Sequence, residues 1–125
     1  MRLLLDAHAL LWWLADDPSL DRAARDLIAD PANEVIVSAA TVWEIAIKRA
    51  MGKLSAPDGL AGVLERSGFI EAPVTAADAE HAGGLEAIHR DPFDRMLVAQ
   101  AVRLRAVVVT REPVFGRYGA KTVPA

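Results

Sequence analysis

The hydrophobic residues of this chain fall into short apolar runs, separated by longer stretches in which apolar positions recur at helical spacing. The runs at 3–5, 34–37 and 106–109 are the most strand-like, because short and mostly apolar segments are typical of strands buried on both faces. Residues 69–70 together with 73–74 predict another extended segment, and 121–123 predict a strand that closes the sheet.

Helical patterns fill the stretches between these predicted strands. A first helix runs through residue 14 and is ended by Asp16-Asp17-Pro18. Ser38 and Thr75 are suitable N-caps, and Asp91-Pro92-Phe93-Asp94 combines an N-cap, a proline in the first turn and an acid at the third position. The further predicted helices cover about 19–29, 39–51, 57–67, 76–82 and 92–105. Strands alternating with helices predict an α/β domain with a mostly parallel central sheet.

The size and composition are those of one ordinary globular domain, residues 1–125. The chain has no cysteine, which excludes disulfides and thiolate metal sites. The apolar N-terminus meets Asp6 too soon for a signal peptide, and no apolar run approaches the roughly eighteen residues of a membrane span. We therefore expect a soluble, cytoplasmic protein without a membrane partner.

The charge is distributed unevenly around a formal net charge of −3. Residues 1–88 contain 7 Lys or Arg against 14 Asp or Glu, whereas residues 89–125 contain 7 against 3. The basic C-terminal third has two explanations: a face that attracts phosphate, or a helix with arginines on its solvated side. Charge alone favours the second explanation.

Acidic and hydroxyl side chains follow two of the predicted strands. Asp6 comes directly after the first strand, and sites in parallel α/β sheets form beyond the carboxyl ends of the strands. Capping of the first helix explains Asp6 equally well. Glu112 lies just past the strand at 106–109, either as a cation ligand or as an ordinary surface glutamate. Thr110 either orients a ligand water or simply ends the strand.

Glu44 shares a predicted helical face with apolar residues at positions 40, 47 and 51. An ionised carboxylate in such surroundings needs a cation or strong hydrogen-bond donors. The alternative is a solvated i,i+4 ion pair with Lys48. The apolar face favours a functional role for Glu44.

Asp91 and Asp94 open the helix predicted at 92–105. Capping is the favoured explanation for Asp91, while Asp94 lies at the border of the buried face and points either into a pocket or into solvent. Mg²⁺ takes oxygen ligands, so converging acids suit one or two cations that activate water and stabilise the leaving oxygen of a phosphodiester. The histidines, His8, His81 and His89, lack zinc-like spacing. His8 and His89 either border the site or lie on the surface, and the surface role is favoured.

Four segments resemble a known family when taken together and in order. They are residues 3–12, beginning Leu-Leu-Leu-Asp-Ala-His; residues 38–48, containing Thr-Val-Trp-Glu-Ile-Ala; Asp-Pro-Phe-Asp-Arg at 91–95; and Val-Thr-Arg-Glu at 109–112. From residue 2 to about 123 the chain closely resembles the PIN-domain family, and most of all the toxin half of VapBC-type toxin–antitoxin pairs.

This resemblance implies a three-layer α/β/α fold and a Mg²⁺- or Mn²⁺-dependent endoribonuclease. Such a toxin cleaves RNA, inhibits translation and growth, forms a homodimer and is neutralised by a cognate VapB-like antitoxin. The matching positions make Asp6, Glu44 and Asp94 the metal ligands and Asp91 a secondary site residue. Glu112 stands where the family usually has a fourth aspartate, so a water-mediated role is favoured there over direct ligation.

Two other functions fit the sequence less well. A phosphoryl-accepting receiver domain needs paired acids after the first strand and a lysine after the fifth, and this chain has neither. A non-catalytic RNA-binding or antitoxin-binding module is disfavoured because all three principal acids are present. For the nuclease, we expect arginines to flank the acidic cleft and bind RNA, with Arg95 and Arg111 as the test positions; the set is Arg90, Arg95, Arg103, Arg105, Arg111 and Arg117.

Overall fold

A computed structural model describes residues 1–125, and its five strands form one sheet. The strands are β1 Arg2–Leu5, β2 Glu34–Ser38, β3 Ile70–Ala72, β4 Val107–Thr110 and β5 Thr122–Pro124. Their order is β3-β2-β1-β4-β5, and every neighbouring pair is parallel. The predicted α/β class is confirmed, and the sheet is wholly rather than mostly parallel.

Seven helices connect and flank the strands. They are α1 Ala7–Leu14, α2 Arg22–Ala29, α3 Ala39–Ala50, α4 Leu60–Arg66, α5 Ala76–Gly84, α6 Pro92–Leu104 and α7 Val114–Arg117. None of them is long and apolar enough to cross a membrane.

Most predicted elements are present, and the differences lie at their ends. Helix α2 begins at Arg22 rather than near 19, because the Asp21 side chain accepts from the Ala23 N–H and caps the helix there. Helix α4 begins after Gly59, whose φ of 61° is left-handed, and not at Pro57. The single turn α7 was not predicted. Strand β3 lies within the extended segment that was predicted from 69–70 and 73–74.

Alternate residues of the strands bury their side chains on opposite faces of the sheet, as strand geometry requires. Leu3 and Leu5 of β1 belong to a core shared with α1, α2, α3 and α4. Leu4 faces the other way and packs into a second core with α6 and α7, where Phe115 is fully buried. The two cores create the three-layer α/β/α arrangement.

One edge of the sheet gathers the helix N-termini that matter for the site. Asp6 follows β1 and caps α1, Ser38 ends β2 and caps α3, and Asp91 caps α6. The strand order reverses direction between β1 and β4, and in open parallel sheets the crevice beyond that point is the usual ligand site. Positive helix ends at this edge favour carboxylates there.

An ion pair between buried Asp78 and exposed Arg103 joins α5 to α6. Asp78 is 2% exposed and accepts from Arg103 through both oxygens, at 2.7 Å from Nε and 2.9 Å from Nη2. Asp78 also completes a capping box with Thr75. Hydrogen bonding to the Arg103 guanidinium lowers the pKa of Asp78 to about 2, against the opposing effect of burial.

We expect Asp78→Ala to lower the free energy of unfolding by about 2 kcal/mol near neutral pH, because it removes the capping box of α5 and the hydrogen bonds that the buried carboxylate accepts from Arg103. The pKa of Asp78 is lower in the folded chain than in the unfolded chain. The stability that the ionised Asp78 contributes to the folded chain is therefore complete above about pH 4 and is lost as the pH falls through about 2.

Urea unfolding of both proteins between pH 7 and about pH 3 measures this difference. Glu80→Ala, an exposed acid on the same helix, is the matched control and should change little. An equal loss in the control, or a difference that does not narrow at low pH, contradicts the assignment.

Candidate active site

A histidine and two aspartates converge at the start of α6. Ligand atoms of His89, Asp91 and Asp94 all lie within 4.8 Å of one another. The His89 Nε2 atom is 2.9 Å from Asp94 Oδ2. Histidine and carboxylate groups at this spacing can share one cation.

Asp91 caps α6, as predicted. Its Oδ1 atom accepts from the N–H groups of Phe93 at 2.8 Å and Asp94 at 3.4 Å. Its second carboxylate oxygen takes part in no hydrogen bond. Capping and cation binding are therefore compatible in this side chain.

Asp94 points inward, with a side chain only 16% exposed. Burial raises its pKa to about 6, and the negative charges of Asp91 and Glu44 act in the same direction. The hydrogen bond from His89 opposes the rise. A cation that binds beside such a carboxyl group stabilises its ionised form and lowers its pKa.

Glu44 is buried and paired with Lys48. Its Oε2 atom accepts from Lys48 Nζ at 2.8 Å, and Glu44 is 7% exposed while the Lys48 side chain is 40% exposed. The hydrogen bond to Glu44 raises the pKa of Lys48, with further contributions from Asp91 and Asp94. The i,i+4 pair therefore forms, yet its carboxylate is buried and within electrostatic reach of Asp94. In this structure the lysine is the cation nearest to these acids.

Asp6 lies at the junction of β1 and α1 with 6% exposure. Its Oδ1 atom accepts from the Ala9 N–H at 2.9 Å. Burial raises the pKa of Asp6, and hydrogen bonds from the Thr110 hydroxyl and the Ala9 N–H reduce this rise. Thr110 is buried and is the last residue of β4. Its hydroxyl acts on Asp6, so Thr110 both ends the strand and belongs to the site.

Glu112 is exposed, and its carboxylate makes no hydrogen bond. Its N–H donates to Thr110 Oγ1 at 3.0 Å, and its charge acts on Asp6. The predicted acids thus fall into two electrostatic groups, one with Asp94, Asp91 and Glu44 and the other with Asp6 and Glu112. The predicted trio does not form one cluster with ligand atoms within 4.8 Å; His89, Asp91 and Asp94 do.

Hydrogen bonds of Arg95 and Tyr118 hold the loop before α6, and we call this arrangement the brace. It was not predicted. The Arg95 guanidinium donates to the carbonyl oxygens of Glu86, His89, Leu85 and Gly83, at distances from 2.9 to 3.3 Å. Tyr118 Oη accepts from the His89 N–H at 3.0 Å and donates to the Glu86 carbonyl at 2.8 Å. No local sequence pattern could reveal this contact, because Tyr118 and His89 are 29 positions apart.

The brace and similar contacts reduce the set of arginines that were expected to flank the site and bind RNA. Arg95 is occupied by backbone carbonyls, and Arg103 by Asp78. Arg111 donates to the carbonyls of Ala125 and Ser19, and its guanidinium lies 4.4 Å from the Trp12 ring centroid. The arginines of the predicted set whose side chains make no hydrogen bond are Arg90, Arg105 and Arg117.

The donor chemistry fits a hard divalent cation. Asp91 offers a free carboxylate oxygen, Asp94 has a raised pKa that a cation would lower, and Glu44 is a buried acid beside them. Carboxylates arranged in this way can hold Mg²⁺ or Mn²⁺ next to a phosphate. An acid cluster that binds such a cation can support phosphodiester hydrolysis.

Comparisons with known proteins agree with this fold. VapBC2 from Rickettsia felis, solved bound to a promoter DNA fragment, is structurally similar with a TM-score of 0.71 and 16% identity over 99% of this chain and 98% of that chain. VapBC-1 from nontypeable Haemophilus influenzae has a TM-score of 0.69 and 16% identity over 99% of this chain and 98% of that chain. FitAcB from Neisseria gonorrhoeae has a TM-score of 0.65 and 19% identity over 96% of this chain and 95% of that chain. At these identities the likeness concerns the fold.

No curated protein sequence matches the chain. The family model of the PIN domain matches residues 3–121, a range that includes every predicted site residue. With a wholly parallel sheet and acids at its carboxyl edge, this chain belongs to the PIN-domain family.

Proposed function

We propose that residues 1–125 form one PIN domain that acts as a Mg²⁺- or Mn²⁺-dependent endoribonuclease, the toxin of a VapBC-type pair. The observation that carries this proposal is the Asp94 carboxyl, which is largely shielded from solvent at 16% exposure and lies close to Asp91 and within the electrostatic influence of Glu44 in a PIN-family chain. Cleavage of cellular RNA by this site would inhibit translation and growth.

Asp94, Asp6 and Glu44 would hold the metal, with Asp91 beside them. When bound, a divalent cation supplies positive charge to the phosphate and lowers the pKa of water. The chain's own contribution is to fix the carboxylates: the Ala9 N–H and the Thr110 hydroxyl hold Asp6, and His89 holds Asp94. Glu112 sits outside this set and acts through its charge on Asp6.

A cognate VapB-like antitoxin is the proposed protein partner. Support comes from the folds of the similar structures, which include VapBC and FitAB proteins and a toxin–antitoxin complex from Klebsiella pneumoniae. The acidic site would be the target of neutralisation, since covering Asp94 and Glu44 excludes both metal and RNA.

A second copy of the chain is the proposed partner of an exposed apolar groove. Trp43 is 64% exposed and packs edge-on against Phe93 with ring centroids 5.5 Å apart. Val74 and Met96 also line this groove, whose volume is about 480 Å³. Apolar surface of this kind on a small protein marks an interaction site. Because Trp43 adjoins Glu44, such a dimer would bring its two acidic sites near the interface.

We expect Asp94→Asn and Asp6→Asn to reduce Mn²⁺-dependent RNA cleavage by at least about 100-fold, because each removes a proposed ligand charge. Asparagine is the right replacement at position 6, since it retains N-cap capacity and spares α1. Cleavage of a labelled RNA pool measures the effect, with circular dichroism as the check on folding.

Asp26→Asn, on the surface of α2, is the control and should cleave at the unmodified rate. Full activity in a folded Asp94→Asn protein would refute the proposed metal site. Cleavage that persists after chelation of divalent ions would refute metal dependence.

RNA affinity provides a separate test. Each phosphate contact contributes roughly 0.7 to the slope of log affinity against log salt for a single strand. We expect Arg90→Ala and Arg117→Ala each to weaken binding and reduce this slope by about one contact, measured with Ca²⁺ in place of Mg²⁺.

Arg22→Ala, an exposed arginine on α2 with no ion pair, is the control for charge alone. Unchanged slopes in both variants would show that Arg90 and Arg117 do not contact RNA phosphates.

For the dimer, we expect Trp43→Glu to convert the protein to a monomer, because it places a charge in the apolar groove. Light scattering of the eluting protein measures the mass. Val102→Glu changes an equally apolar position, 58% exposed, outside the groove and should leave the mass unchanged. A wild-type monomer, or a Trp43→Glu dimer, contradicts the proposed interface.

A further inference from the structure

We propose that His89 is a direct nitrogen ligand of the catalytic cation beside Asp94, so that the site has mixed nitrogen and oxygen ligands and prefers Mn²⁺ to Mg²⁺. This inference rests on the proposed metal-dependent nuclease and assigns a ligand outside its three acids. It also replaces the surface role that the sequence favoured for His89.

The geometry of the pair is the first support. His89 Nε2 and Asp94 Oδ2 are 2.9 Å apart. Neighbouring ligands of an octahedral cation with bonds of about 2.1 Å lie roughly 3 Å from each other. A hydrogen bond has the same length, so this distance places the imidazole and the carboxylate side by side, and a shared ion would take the place of the hydrogen between them.

The remaining ligand atoms are also available. Asp91 uses only Oδ1 for capping, at 2.8 Å from the Phe93 N–H, which leaves its other oxygen free. Asp94 uses only Oδ2, in the contact with His89. Ligand atoms of all three residues lie within 4.8 Å of one another, so a small inward movement is enough to surround one ion.

The loop carrying His89 is fixed before any ion arrives. The His89 N–H donates to Tyr118 Oη at 3.0 Å, and its carbonyl accepts from Arg95 Nη1 at 3.2 Å. Both contacts involve the backbone, so the imidazole is presented toward Asp94 without being needed to hold the loop. A ligand on a preorganised support loses little freedom when it binds a metal.

Ion preference follows from the nitrogen. Carboxylate and water ligands suit Mg²⁺, whereas imidazole raises the affinity for transition ions more than for Mg²⁺. The alternative is that His89 only orients Asp94 by hydrogen bonding and never contacts the ion. Both arrangements help catalysis, but only direct ligation places a nitrogen on the metal.

The test is electron spin-echo envelope modulation of tag-free protein loaded with one equivalent of Mn²⁺. We expect the ¹⁴N modulation of a coordinated imidazole, its loss in His89→Gln and its retention in His81→Gln, an exposed histidine on α5. Calorimetric titration should show Mn²⁺ affinity falling at least about tenfold in His89→Gln, with Mg²⁺ affinity changing by less than about threefold.

The outcomes separate this inference from the proposed function. If Mn²⁺ binds and RNA is cleaved but no coordinated nitrogen is seen, or the nitrogen persists in His89→Gln, the ligand assignment is wrong and the nuclease stands. If Mn²⁺ binding is the same in Asp94→Asn as in the wild type, both fail. Equal losses of Mg²⁺ and Mn²⁺ affinity in His89→Gln also overturn the claimed preference.

Discussion

Crowding of buried negative charge at one edge of the sheet is the constraint on which the rest of the structure depends. Asp6 and Asp94 both have raised pKa values, and burial is the main cause in each case. Positive helix ends, the Lys48 ammonium and a few hydrogen bonds offset part of the cost. A folded chain tolerates such a cost where function requires it, and here a divalent cation would remove it.

Several contacts fix the backbone near these acids. Arg95 and Tyr118 fix the loop before α6, while the Asp78–Arg103 pair fastens α5 to α6 further along the same helix. Arginines that could have bound RNA are thus used to hold the fold. The chain, with net charge −3, carries its site acids at the carboxyl edge of the sheet and leaves Arg90 and Arg117 exposed.

Much of this could be predicted from sequence because the signals are local. Apolar runs gave the strands, and the side chains of Ser38 and Asp91 marked helix starts that the structure confirms. The start of α4 depends on left-handed Gly59, and α7 is one short turn, so neither leaves a clear periodic pattern. The Tyr118 brace and the approach of His89 to Asp94 depend on tertiary contacts, which no spacing along the chain encodes.

Paramagnetic broadening of backbone amide signals by substoichiometric Mn²⁺ tests the central claim most directly, since it locates a bound ion without reference to activity. We expect early loss of the signals of Ala7, Ile45 and Asp94, while those of Glu34 and Arg105 at the opposite edge of the sheet remain sharp. Broadening centred on the opposite edge, or spread evenly over the acidic surface, would contradict a cation site at the carboxyl ends of the strands.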